Sequence, residues 1–114
     1  EAIFSSQIEG TEISLRELLE YEAGVRKTDP NWEMKHVLGC LAATQYGLQQ
    51  IQRSPVTMDL IMSCHEILFS TGFRGKGALA GEIRDTQNYV GAPGSTVQTA
   101  RFVPPPPGKV KALL

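Results

Sequence analysis

No stretch of this 114-residue sequence approaches the roughly 20 consecutive apolar residues that a membrane-spanning helix needs. The N-terminus also lacks the basic stretch followed by an apolar core that marks a secretory signal, so a cytoplasmic location is expected. Neither sign of charge is in excess: 11 Lys and Arg stand against 12 Asp and Glu, a formal net charge of -1. That balance gives no broad basic field, so electrostatics point to neither nucleic acid nor an anionic membrane as a partner. Cysteine is scarce. Cys40 and Cys64 fall among apolar neighbours without the paired spacings of zinc or redox motifs, and are expected to be buried, reduced thiols. With only two histidines, His36 and His65, and no ligand spacing among histidines, cysteines and acids, a metal site is not expected.

The 41% hydrophobic and 20% charged content is that of a soluble globular chain with a modest core. Phe4 and Ile8, four apart, predict a first helix closed by Gly10. Glu9 then falls at the negative pole of the helix dipole, unfavourable by roughly 0.3–1 kcal/mol if exposed. A local rule broken in this way marks a place to look for function. Ser14 and Glu17 form a capping box for a second, short helix, with Leu15, Leu18 and Leu19 as its apolar stripe and Gly24 as its stop. Asp29 as N-cap and Pro30 at the first helical position predict a long helix from about Pro30 to Arg53, with Met34, Val37, Leu38, Leu41, Leu48 and Ile51 on its core face. Thr57 caps a further helix that runs to Gly72. "GFRGKGALAG" follows as a surface loop. Asn88 to Val90 and Val97 to Val103, flanking Pro93-Gly94, predict a β-hairpin of two short strands. The prolines 104 to 107 are extended, and "GKVKALL" opens another helix.

Candidate chemistry is sparse. His65 stands beside Glu66, but neighbours in sequence do not face each other on a helix, and His65 lies on an apolar stripe, so a packing role is the expectation. His36 falls nearer the polar side of the long helix. "GFRGKG" lacks the Gly-x-x-x-x-Gly-Lys-Ser/Thr spacing and the preceding strand of a phosphate loop, and reads as solvated. No Ser/His/Asp arrangement has the spacing of a catalytic triad.

Three collinear segments carry more information: "SSQIEGTEISLRELL", "GEIRDTQNYVGAP" and "ARFVPPPPGKVKALL". Together they resemble the N-terminal part of Fic proteins, a family that transfers AMP from ATP to a hydroxyl side chain of a target protein. The resemblance implies a mainly α, helical Fic-type domain with a short β-hairpin flap. Its parts would be an inhibitory helix over 1–10, a helical core over 14–72, a flap over 82–103, and a proline-rich turn with the start of a helix over 104–114. Ser5, Glu9 and Gly10 match the Ser/Thr-x-x-x-Glu-Gly of the family's inhibitory helix. Its glutamate pairs with a catalytic arginine in the space of the ATP γ-phosphate, and Ser5 would help hold Glu9. Thr86, Gln87, Asn88, Tyr89 and Val90 fall in the flap that pairs with the target's main chain by β-augmentation.

The family's catalytic loop, with its histidine base and Gly-Asn-Gly-Arg, matches nothing among these residues and would follow Leu114. The resemblance therefore implies that the chain alone does not transfer AMP, and that ATP and Mg2+ are bound by the complete protein and not by this part. The expected partners are a target protein modified on a hydroxyl, the catalytic part in the same chain, and room for a homodimer. The alternative is a stand-alone module that inhibits a separate Fic core in trans.

Overall fold

Gly10 adopts a left-handed backbone, with φ of 87°, and everything around it is organised by the turn this makes. In the computed structural model, which describes residues 1–25, 29–70 and 80–114, helix α1 spans Ala2–Ile8 and has Glu9 as its C-cap. The Gly10 N–H donates to the Gln7 carbonyl at 3.0 Å and the Thr11 N–H to the Ser6 carbonyl at 3.2 Å. This is the Schellman arrangement, and it satisfies two carbonyls that the helix end would otherwise leave open. Thr11 is buried by the reversal, and Ile13 follows it into the core.

Helix α2, Leu15–Glu22, starts two residues later with the full reciprocal capping box: Ser14 Oγ accepts from the Glu17 N–H, and Glu17 Oε2 accepts from the Ser14 N–H at 3.0 Å. It ends in a second Schellman closure, Val25 N–H to Glu20 carbonyl and Gly24 N–H to Tyr21 carbonyl, each at 3.0 Å. The connection between α1 and α2 is tied down by the Glu12 N–H, which donates to Glu33 Oε2 at 3.3 Å.

Helix α3, Trp32–Ile51, is the longest. Its cap is Asn31, not Asp29: Asn31 Oδ1 accepts from the Met34 N–H at 2.9 Å. Pro30 accordingly lies ahead of the cap rather than in the first turn. Both residue types can cap, and the position that aims its oxygen at the third following N–H takes the role. Helix α4, Met58–Ser70, begins as expected, with the Leu60 N–H donating to Thr57 Oγ1 at 3.2 Å. Most of the glycine-rich loop after it lies outside the described residues.

Within the unit Glu1–Gly81, α1 packs on α3, and α3 packs on α4. The core is small: Ile13, Leu18, Met34 and Val37, with Ile3, Tyr21 and Leu38 against it. It lies at the N-terminal half of α3, where α2 delivers Leu18. Leu48 and Ile51, expected on the core face, are about half exposed, because those first elements do not reach that end of the helix. Cys40 and Cys64 are free and half-buried rather than fully buried. Cys64 lies at the α3–α4 contact, where its Sγ approaches the Ala43 carbonyl at 3.8 Å, and where a Cβ on Gly47 would meet that sulfur at 3.4 Å.

The second unit, Glu82–Leu114, contains helix α5, Pro107–Leu113, with Pro107 at its first position. The expected pair of strands is reduced to one antiparallel bridge, Val90 to Phe102, with N–H to carbonyl distances of 2.8 and 3.0 Å. The ladder is interrupted by two turns. Ser95 N–H closes on the Ala92 carbonyl around Pro93-Gly94, and the Thr96 N–H, which a strand would have used, donates instead to Thr99 Oγ1 at 2.9 Å. Local side-chain acceptors of this kind compete directly with sheet pairing. The chain is thus mainly α, as the sequence predicts, with five helices and no named strand among the described residues. Nor is any helix among them long and apolar enough to cross a membrane.

A Cβ at Gly10 would meet nothing within 4 Å, so Gly10→Ala tests backbone conformation alone. The expected loss of stability is about 1–2 kcal/mol, with a smaller loss for Gly10→Asn, read from urea unfolding midpoints.

Candidate functional site

The C-terminal end of α1 presents Ser5, Glu9 and Gly10 together at the surface, all three exposed. Ser5 and Glu9 are four apart and so share one side of the helix, while Ser6, about 100° further round from Ser5, is fully buried. Ser6 Oγ donates to the Ala2 carbonyl at 2.7 Å and thereby spends its proton inside its own helix. Phe4 and Ile8 are also exposed, at 69% and 86%, so the outward side of α1 is apolar along one edge and ends in a carboxylate. The Glu9 N–H donates to the Ser6 carbonyl at 3.0 Å, while its carboxylate takes part in no hydrogen bond or ion pair among the described residues. It sits at the negative end of the helix with its charge uncompensated there.

Beneath this end lies His36, buried at 4% exposure where the sequence places it near the polar side of the long helix. The placement follows from α1 covering α3: a second helix widens the buried stripe beyond the Met34, Val37, Leu38 face that periodicity detects. The small residues Ser6 on α1 and Gly39 on α3, both buried, are the signal in the sequence that two helices come close. Burial pushes the His36 imidazole below its ordinary value of 6.5, and the charge of Glu9 acts, less strongly, in the opposite sense.

The second group of expected residues lies in the other unit. Thr86, Asn88, Tyr89 and Val90 are exposed, and Gln87 is half-buried. Gln87 Nε2 donates to the Asn88 and Pro104 carbonyls, both at 2.9 Å. Arg84 Nη1 donates to the Thr86 carbonyl at 2.9 Å, and Nη2 to the Pro105 carbonyl. The segment is thus held by the Arg84 and Gln87 side chains ahead of the single bridge, with its residues exposed apart from Gln87.

His65 has the packing role expected of it. Its Nδ1 accepts the Gly81 N–H at 2.9 Å and its ring lies 4.7 Å from that of Phe69, tilted by 50°. Gly81, at φ of 74°, fits against α4 because a Cβ would press on the Glu66 side chain at 3.0 Å. Among the described residues no group of three or more His, Cys, Asp and Glu could hold a metal ion. The residues 71–79, where a phosphate loop was weighed, lie outside the described residues.

Residues 1–49 match a family model described as Fic/DOC family N-terminal. Neither the curated proteins nor the solved structures give a significant match.

Since the folded His36 binds protons less readily than the unfolded one, stability is complete above pH 6.5 and is lost as the pH falls from there toward the lowered value. Urea unfolding midpoints should decline across that window, and His36→Gln should flatten the decline.

Proposed function

We propose, on the premise that residues 1–49 are a Fic-family N-terminal portion, that this chain is the regulatory and target-binding part of a Fic-type protein adenylyltransferase, autoinhibited through Glu9. The observation that carries this reading is the carboxylate at the end of α1. It is exposed, lies at the unfavourable pole of its helix, and takes part in no ion pair among the described residues. A guanidinium from a catalytic part would relieve that electrostatic cost, and a charge-assisted pair with a carboxylate is roughly twice as strong as a neutral hydrogen bond. Held there, Glu9 would occupy the space of the ATP γ-phosphate. Ser5, one turn earlier on the same side, would help hold it.

The segment from Thr86 to Val90, exposed apart from Gln87, would receive the target segment by main-chain pairing, as when a peptide adds to an open backbone edge. Asn88 and Tyr89 would meet the target's side chains. ATP and Mg2+ would be held by the catalytic part, and no residue of this chain is given a step in the transfer.

The test is AMP transfer to protein from labelled ATP, using a protein that joins this segment to its catalytic part, with and without Glu9→Gly. The expected result is a rate roughly a hundredfold higher in the variant with the fold intact, since a single catalytic electrostatic contact is typically worth about 3 kcal/mol. An equal or lower rate would remove Glu9 from the inhibitory role.

A further inference from the structure

Gly81 is fastened to helix α4 through one side-chain nitrogen. Its N–H donates to His65 Nδ1 at 2.9 Å, sixteen residues back along the chain. A backbone N–H can only donate, so Nδ1 must accept, and the proton of the neutral ring is on Nε2. The approach is close. Gly81 has a left-handed backbone, with φ of 74°, and a Cβ there would meet the Glu66 Cβ at 3.0 Å and the Met62 carbonyl at 3.3 Å. Glycine is what allows the chain to lie this near to α4. The His65 ring is itself set against Phe69, with 4.7 Å between centroids, so the accepting nitrogen has a defined position.

We infer that His65 is a pH-operated clasp, which holds Gly81 on α4 when the ring is neutral and releases it when the ring is protonated. A second proton turns Nδ1 from an acceptor into a donor, and two N–H groups then meet where one bond stood. The ring is half-buried, so solvent can deliver that proton. Its ionisable neighbours on α4 are Cys64 and Glu66, whose Oε2 lies 3.5 Å from where a Gly81 Cβ would stand. On α3, Ala43 and Gly47 meet Cys64, and the ionisable groups next to those two along the helix are Cys40 and Tyr46. After Gly81 come Glu82, which is exposed, and Arg84, whose guanidinium donates to the Thr86 and Pro105 carbonyls. Of these residue types, histidine alone ordinarily changes charge between about pH 5 and 8. Gly81 is the last residue of the first unit. The clasp therefore decides whether the chain leaves that unit from a fixed point on α4 or from a free one.

Nuclear magnetic resonance of the full chain, labelled with heavy nitrogen, reads the clasp directly. Above the transition of the His65 ring, followed through its own carbon-bound protons, a coupling across the hydrogen bond should join the Gly81 amide nitrogen to His65 Nδ1. Below that transition the coupling should vanish. Protection of the Gly81 amide from exchange, corrected for the intrinsic pH dependence of exchange, should fall roughly fivefold, as for the loss of one ordinary hydrogen bond. His65→Phe keeps a ring and has no acceptor, so Gly81 should be weakly protected on both sides, without a pH step. His36→Gln removes the other histidine and should leave the step as in the native chain, with circular dichroism showing the same helix. Protection equal on both sides of the ring's transition, a step that survives in His65→Phe, or a step lost in His36→Gln with its helices intact would each overturn the assignment.

Discussion

The left-handed turn at Gly10 is the constraint on which the first unit depends. One residue's backbone angle ends α1, so that Glu9 stands at its rim. It also folds the following peptide back under the helix and sets the spacing at which Ile13 reaches the core and Ser14 reaches the capping position. A side chain at that position would strain the backbone without touching anything. The adjacent glutamate and glycine are therefore linked by geometry: the glycine makes the helix stop where the carboxylate is presented.

Electrostatics around that rim work on two scales. On the outer side, Glu9 carries a charge at the end of a dipole that disfavours it. On the inner side, the same charge reaches a histidine whose burial opposes protonation. The burial is the stronger of the two influences, and the imidazole stays below its ordinary value.

Local signals were readable and tertiary ones were not. The two helix closures and the capping box at Ser14 involve residues within five positions of each other, and their chemistry is visible in the letters alone. Thr57 as a cap was readable for the same reason. The choice of Asn31 over Asp29 depended on the direction in which a side chain points, which neither residue type specifies. His36 was misplaced because its burial is imposed by a helix thirty residues away in sequence, and a single-helix period contains no trace of that cover. The hairpin was over-read for a different cause: alternating β-branched residues favour a strand, but Thr96 and Thr99 bind each other and their own backbone first. In the site, the exposed Ser5, Glu9 and Gly10 stood out through a broken helix rule, whereas the buried Ser6 and His36 beneath them did not.

The proline tract gives the second unit a property of a different kind. Pro104 and Pro105 have no N–H to donate, and their carbonyls are already taken by Gln87 and Arg84. A backbone without donors, and with its acceptors engaged, cannot template a neighbouring strand, and proteins use proline at edges to that end. The pairing of Val90 with Phe102 is thereby kept from growing past the prolines into a larger sheet. The side chains that hold the tract in place also close it to further pairing.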